Sequence, residues 1–309
     1  MINFEEFQEY VGNVLPEKLP ENLRNATVSI KKVEKNNGVI LHGLCVLPEG
    51  SNIAPTVYLE GYFGMYEEGV SLNEVVDRIV NCVVENIAPA GFDDVAANFH
   101  DFEFVKDKIV ISVVNRAKCA NLLEHLPHHD VEDLSLIYKV IVKAYDHRTA
   151  SITIRNEHLL LWDVTKEKIH EMAMKNSKEV LPACVKTISE ALENILHCDD
   201  ISDDIREFMP ELSPREDMYV ISNTAEFNGA SAIFYENVLQ NLAEQIGTDL
   251  YILPSSVHEC IAVSTDLWTP AFLSRMVKDI NVSQVPPEER LSDNVYYFKA
   301  GTNEIRLAV

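Results

Sequence analysis

The stretch Gly247-Thr-Asp-Leu-Tyr-Ile-Leu-Pro-Ser-Ser-Val-His-Glu-Cys-Ile-Ala-Val263 decides the fold, because it holds two apolar, β-rich runs joined by a short polar segment. Leu250–Leu253 and Cys260–Val263 have the composition of buried strands. Pro254 cannot donate to a sheet and marks the end of the first strand. The sequence therefore predicts two core strands that meet at a polar junction. Its side chains are those of Ser255, Ser256, His258 and Glu259.

The neighbouring segments predict further helices and strands around these two. Tyr235–Ile246 has apolar residues at helical spacing, and Thr269 with Pro270 after it is a typical helix start. Asn37-Gly38 predicts a hairpin turn, since both residue types tolerate positive φ. Strands are expected at Thr27–Val33, Val39–Val46, Ile53–Leu59, Met218–Ser222, Val295–Phe298 and Glu304–Leu307. Pro16 and Pro20 are expected to end the first helix. A further helix is expected at Phe92–Phe99, where apolar residues recur at helical spacing.

The middle of the chain predicts an antiparallel meander of Leu134–Ala144, Ser151–Ile154 and Leu159–Trp162. The middle and C-terminal portions share an order of elements, which suggests a duplicated β-α-β-β-α unit with His158 and His258 in related places. The fold class is thus α+β, with mixed, largely antiparallel sheets and flanking helices.

An acidic segment divides the chain. Residues 193–217 carry nine carboxylates and two prolines, and such a segment favours an exposed connection. The predicted portions are 1–105, a β-hairpin with helices; 106–198, an α+β unit; 199–217, the acidic linker; and 218–309, a second α+β unit.

The charge balance limits the partners. The 309 residues include 49 acidic and 26 basic ones, for a net charge of −23. Nucleic acids and anionic membranes are disfavoured, because binding to either requires a cationic surface. A macromolecular partner, if there is one, should be a basic protein. The six cysteines include no C-x-x-C pair, and no signal peptide or membrane span is recognised, so a cytoplasmic protein with reduced thiols is expected.

Two groups of residues have the chemistry of sites. Ser255, Ser256, His258 and Glu259 include nucleophile, base and acid types, but a catalytic triad is assembled from separate elements. We expect His258 to be mostly buried and hydrogen-bonded near one of the serines. A second group has metal-ligand types in a proline-containing loop, where neighbouring histidines are common without a metal. It consists of His125, His128, His129 and Asp130, with Asp133 beside them. No common nucleotide, zinc-protease or calcium motif is present, and no cofactor is expected.

Several motifs together resemble an uncharacterised bacterial family carried by gut Firmicutes, domain-of-unknown-function family 5688. The motifs are Gly38-Val39 with Ile53–Leu59, Leu126-Pro-His128 with Asp133-Leu134, Asn156–Leu159 with Trp162–Thr165, and Tyr251–Glu259. The resemblance spans nearly the whole chain and implies a bacterial, intracellular protein. It brings no activity and no catalytic residue.

Two functional hypotheses remain at this point. The first is a non-enzymatic binding or regulatory protein that uses its acidic surface. The alternative is a hydrolase or metal-dependent enzyme built on the polar junction or the histidine-rich segment.

Overall fold

The computed structural model describes residues 2–51, 54, 56–86, 97–145, 148–191, 218–302 and 304–308. The chain forms two compact units, Met1–Phe104 and Val105–Val309. The strands of the described residues form three sheets, and neighbouring strands within each sheet are antiparallel. With helices beside these sheets, the predicted α+β class is confirmed.

The first unit packs helices on one face of a three-stranded sheet. The strands are β1 (Thr27–Glu34), β2 (Ile40–Leu47) and β3 (Thr56–Tyr58), and the helices are α1 (Phe4–Lys18), α2 (Glu60–Glu67) and α3 (Leu72–Asn86). Alternate residues of β2, Leu44 and Val46, join the core with Phe7 and Ile79. The predicted hairpin turn is confirmed, since Asn37 and Gly38 have φ of 61° and 69°.

Of the two prolines predicted to end the first helix, Pro20 follows the helix end and Pro16 does not stop the helix. Pro16 lies inside α1, which continues to Lys18. Proline removes one backbone donor but fits the helical φ. In the last turn Lys18 forms an ion pair with Asp77 of α3 at 2.6 Å, and Leu15 and Leu19 are buried. These contacts hold the turn that the proline weakens.

The second unit begins with a four-stranded sheet of β4 (Ile109–Asn115), β5 (His128–Val131), β6 (Leu134–Tyr145) and β7 (Arg148–Thr153). β4 pairs with one edge of β6, while β5 and β7 share the other edge. β4 is buried at every position, and α7 (Lys166–Val180) packs against it. The chain enters this unit through a short helix at the boundary, α4 (Phe102–Val105). Two further short helices lie within the unit, α5 (Ala120–Leu123) and α6 (Asn156–Trp162).

The predicted strand Leu159–Trp162 is wrong, because this segment belongs to α6. Its start is fixed by a hydrogen bond from the Arg155 N–H to His158 Nδ1 at 3.1 Å, and its end by Asp163 with a φ of 53°. A short apolar run does not distinguish a strand from a helix. The duplicated unit is not confirmed, since His158 lies in a helix and His258 between two strands.

A six-stranded sheet completes the second unit, in the order β13-β12-β10-β11-β9-β8. Its strands are β8 (Ala183–Thr187), β9 (Met218–Asn223), β10 (Leu250–Leu253), β11 (Cys260–Ser264), β12 (Tyr296–Phe298) and β13 (Ile305–Leu307). The two predicted core strands are therefore confirmed and lie at its centre. The helices beside it are a 3-10 helix at Gly229–Phe234, α8 (Val238–Ile246) and α9 (Pro270–Ser283), which Thr269 caps as predicted.

The pairing of β8 with β9 joins the predicted middle and C-terminal portions in one unit. The acidic linker 199–217 and most of the helical pattern Phe92–Phe99 lie outside the described residues.

Candidate functional site

The polar junction is held by backbone hydrogen bonds to a segment some 35 residues downstream. The Val257 N–H donates to the Glu289 carbonyl at 2.9 Å, and the Leu291 N–H donates to the Ser255 carbonyl at 2.8 Å. Ser256 pairs with Arg290 as an isolated antiparallel bridge. The junction therefore acts as a short additional strand that fixes the 289–292 segment beside the sheet.

The hydroxyl group of Ser256 is used within the junction. This residue is only 4% exposed, and its Oγ accepts the backbone N–H of His258 at 3.0 Å. In a Ser-His-Asp triad the serine hydroxyl donates its proton to a histidine ring. The Oγ of Ser256 instead accepts a backbone N–H.

His258 differs in part from the prediction. Its side chain is 31% exposed, and Nε2 lies 3.6 Å from Glu289 Oε1. The hydrogen bond to Ser256 comes from the backbone, and the His258 carbonyl accepts from Ser222 Oγ at 2.8 Å. The ring is thus half-buried at the surface beside a carboxylate that the local sequence did not indicate.

Glu259 is the electrostatically unusual group of the junction. Burial raises the pKa of its carboxyl group, and the nearby Glu289 and Glu226 act in the same direction. His258 and the hydrogen bond from Ser256 oppose this shift of the Glu259 pKa. The protonated form is therefore favoured in the folded protein relative to the unfolded chain.

We expect Glu259→Gln to stabilise the protein at neutral pH and to change little at low pH. Because the folded pKa lies above the ordinary 4.5, the folded state binds more protons than the unfolded state just above pH 4.5, and wild-type stability falls as pH rises through the folded pKa. Glutamine removes this loss. The measurement is Tm from pH 4 to 8, and a difference in Tm that is independent of pH would contradict the expectation.

Glu236→Gln is the control with the opposite sign. Lys178 Nζ lies 2.9 Å from its carboxylate and lowers the pKa of Glu236. This pair stabilises the fold above the ordinary pKa and is lost as pH falls through the lowered value. The variant should thus be slightly less stable at neutral pH and unchanged in acid.

The geometry of a strand separates His129 from the other two candidate metal ligands beside it, His128 and Asp130. His128, His129 and Asp130 lie in β5 and not in a loop, so alternate side chains point to opposite faces. His128 Nδ1 is 2.9 Å from the Leu126 carbonyl, and its Nε2 is 3.9 Å from Asp130 Oδ1. His125 is exposed and contributes its backbone carbonyl to the Asn156 N–H. Among the described residues, no three His, Cys, Asp or Glu side chains are grouped to hold a metal ion.

On the other face of β5, His129 stacks on His170 of α7 with ring centroids 4.7 Å apart. His170 Nδ1 lies 3.0 Å from the hydroxyl group of Tyr138, which is fully buried. Burial lowers the pKa of His170, and His129 and Lys166 act in the same direction. Burial also raises the pKa of Tyr138. No local pattern in the sequence indicates this cluster, because its members come from β5, β6 and α7.

Asp133 belongs to a second group of contacts, which join residues that are far apart in the sequence. Its Oδ2 accepts hydrogen bonds from Ser292 Oγ at 2.8 Å and from Asn294 Nδ2 at 2.9 Å, and its Oδ1 accepts the hydroxyl of Tyr296. Ser292 and Tyr296 are completely buried. Asp133 therefore joins the β5–β6 turn to the C-terminal segment, and both of its carboxylate oxygens are used in these hydrogen bonds.

The protein is thus an α+β protein in which the polar segment between two central strands forms backbone hydrogen bonds with residues 289–292. The chain belongs to a family of unknown function (DUF5688), whose model matches residues 4–300. No curated protein and no solved structure matches it.

None of the helices in the described part of the chain has the length and apolar character needed to cross a membrane.

Proposed function

We propose that this family member is a non-enzymatic binding or regulatory protein of the bacterial cytoplasm, and that its acidic surface binds a basic protein. The observation that carries the proposal is the net charge of −23 on 309 residues. Charge of this size attracts a cationic surface over a distance of about 8–10 Å at physiological salt and raises the rate of encounter.

The first unit supplies a defined part of this surface. α1 presents Glu5, Glu6 and Glu9 to solvent, and α3, which packs on α1, presents Glu74 and Asp77. Two basic residues near them are engaged with these acids, since Lys18 pairs with Asp77 at 2.6 Å and Arg78 pairs with Glu74 at 2.8 Å. The two packed helices therefore present an excess of negative charge to solvent.

The contacts of the polar junction also support a binding role. Ser256 is buried and its Oγ accepts the backbone N–H of His258, while the side chains of His128 and His129 point to opposite faces of β5. Neither arrangement favours a nucleophilic or metal-dependent reaction.

The test is binding of the purified protein to two probes of equal size, one basic protein with a pI above 9 and one acidic protein. We expect saturable binding to the basic probe only, and no gel-shift of DNA or RNA. A variant with Glu5, Glu6 and Glu9 all changed to Gln should bind the basic probe several-fold more weakly. Tight, salt-sensitive binding to bare nucleic acid would overturn the proposal.

A hydrolase remains the second proposal, favoured by one observation. The partly exposed ring of His258 lies 3.6 Å from the carboxylate of Glu289, and the pKa of the neighbouring Glu259 is raised. Active sites use groups of these types as acids and bases. A screen for esterase, phosphatase and peptidase activity tests it. Activity that His258→Ala and Glu259→Gln abolish without loss of folding would favour the enzyme over the binding protein.

A further inference from the structure

An open cleft of about 490 Å³ lies in the second unit, where the end of α8 meets the end of β11 and the start of β9. Ile246 and Thr248 come from the end of the helix, Ser264 and Asp266 from the end of β11, and Tyr219 from β9. A cleft of this volume accommodates a single long side chain or a small molecule.

Hydrogen bonds fix the two loops that form the cleft. Ser264 Oγ accepts from Thr248 Oγ1 at 2.9 Å and from the Asp266 N–H at 3.2 Å. The Thr265 N–H donates to the Asp249 carbonyl at 3.1 Å. Gly247 ends α8 with a φ of 82°, and its N–H donates to the Ala243 carbonyl at 2.8 Å. These hydrogen bonds hold the backbone that carries the Asp266 side chain in one position at the edge of the cleft.

The charges at the cleft favour a cation. Asp266 is exposed, and among the described residues it takes part in no ion pair within 4.0 Å. The C-terminal end of α8 carries the negative end of the helix dipole, and its last turn has no basic residue to compensate it.

The remaining lining is aromatic and apolar. Tyr219 presents a ring, and Ile246 and Leu267 present aliphatic groups, with Leu267 60% exposed. Lysine and arginine bury their methylene stems on such surfaces while the charged group reaches a carboxylate or an aromatic face.

We propose that this cleft binds a lysine or arginine side chain of a basic protein partner, with Asp266 holding the charged group and Leu267 and Tyr219 contacting the stem. The proposal rests on the proposed function and assigns it a specific point of recognition. It accounts for three features of one cleft: an acid that has no ion pair with any described residue, a helix C-terminus and an exposed leucine.

The experiment measures binding of acetyl-pentalysine amide by calorimetry, with the Nε-acetylated pentapeptide as the neutral probe. Asp266→Asn should weaken pentalysine binding about fivefold, the range of an exposed ion pair, and Leu267→Ala should also weaken it. Asp279→Asn is the control. It removes the same charge from an exposed position on α9, and it should change the affinity less than twofold.

Equal effects of Asp266→Asn and Asp279→Asn would show diffuse attraction, which overturns the cleft but leaves the proposed function standing. Equal binding of the neutral pentapeptide would also overturn the cleft. Failure to bind either pentalysine or the basic protein probe would overturn both proposals.

Discussion

Gly229→Ala is expected to destabilise the protein by about 3 kcal/mol or more, the upper range for overpacking a rigid site. A Cβ atom at this position would lie 2.1 Å from Ser222 Oγ, 2.5 Å from the His258 carbonyl oxygen and 2.7 Å from the Asn223 backbone nitrogen. Two of these atoms belong to the backbone of the central sheet and its junction, so they cannot move aside without displacing β9 or the His258 segment.

The matched control is Gly12→Ala in α1. Its Cβ would meet only Ile30 Cδ1 at 3.9 Å, which is an ordinary contact. Alanine in a helix interior is favoured over glycine by about 0.5–1 kcal/mol, so this variant should be more stable than wild type. Denaturant unfolding of both variants tests the prediction. A loss below about 1 kcal/mol for Gly229→Ala would contradict the close packing of the junction.

Asp133→Ala is the second substitution with a large expected effect, about 3 kcal/mol or more of lost unfolding free energy. The change leaves the hydroxyls of Ser292 and Tyr296 and the amide of Asn294 without their acceptor, and both hydroxyl-bearing residues are fully buried. Each orphaned buried donor costs about 1–3 kcal/mol. Since the bonds join positions 159 to 163 residues apart, the loss should also loosen the C-terminal segment.

Asp77→Ala provides the comparison. Asp77 is also an aspartate with a partner, since it pairs with Lys18, but its side chain lies at the surface and is 61% exposed. A surface ion pair contributes less than about 1 kcal/mol. Urea unfolding should give a clearly lower free energy of unfolding for Asp133→Ala than for Asp77→Ala. If Asp133→Ala costs no more than Asp77→Ala, the Asp133 group does not hold the C-terminal segment.

The sequence predicted the parts of the fold that are specified locally. Asn37-Gly38 gave the hairpin turn, Thr269 with Pro270 gave the start of α9, and the apolar runs on either side of Pro254 gave β10 and β11. In each case the residues that determine the structure are neighbours in the chain. The strand prediction for Leu159–Trp162 was wrong, because an apolar run of this length fits a strand or a helix. The hydrogen bond to His158 at one end and the left-handed Asp163 at the other select the helix.

The site was predicted less well, since its geometry depends on distant residues. The junction residues were identified, but Glu289, Gly229 and Ser222 reach them through the tertiary fold. The histidine-rich segment was predicted to be a loop, which is wrong. His128 and His129 lie in a strand, and this places their side chains on opposite faces.

The most direct test of the account is the affinity for a basic protein measured against salt concentration. A binding protein that acts through its acidic surface should bind a basic partner saturably at 50 mM salt, with Kd rising at least about tenfold by 200 mM as screening increases. A Kd that does not change over this range, or salt-sensitive binding to bare DNA or RNA in place of the basic protein, would contradict the account.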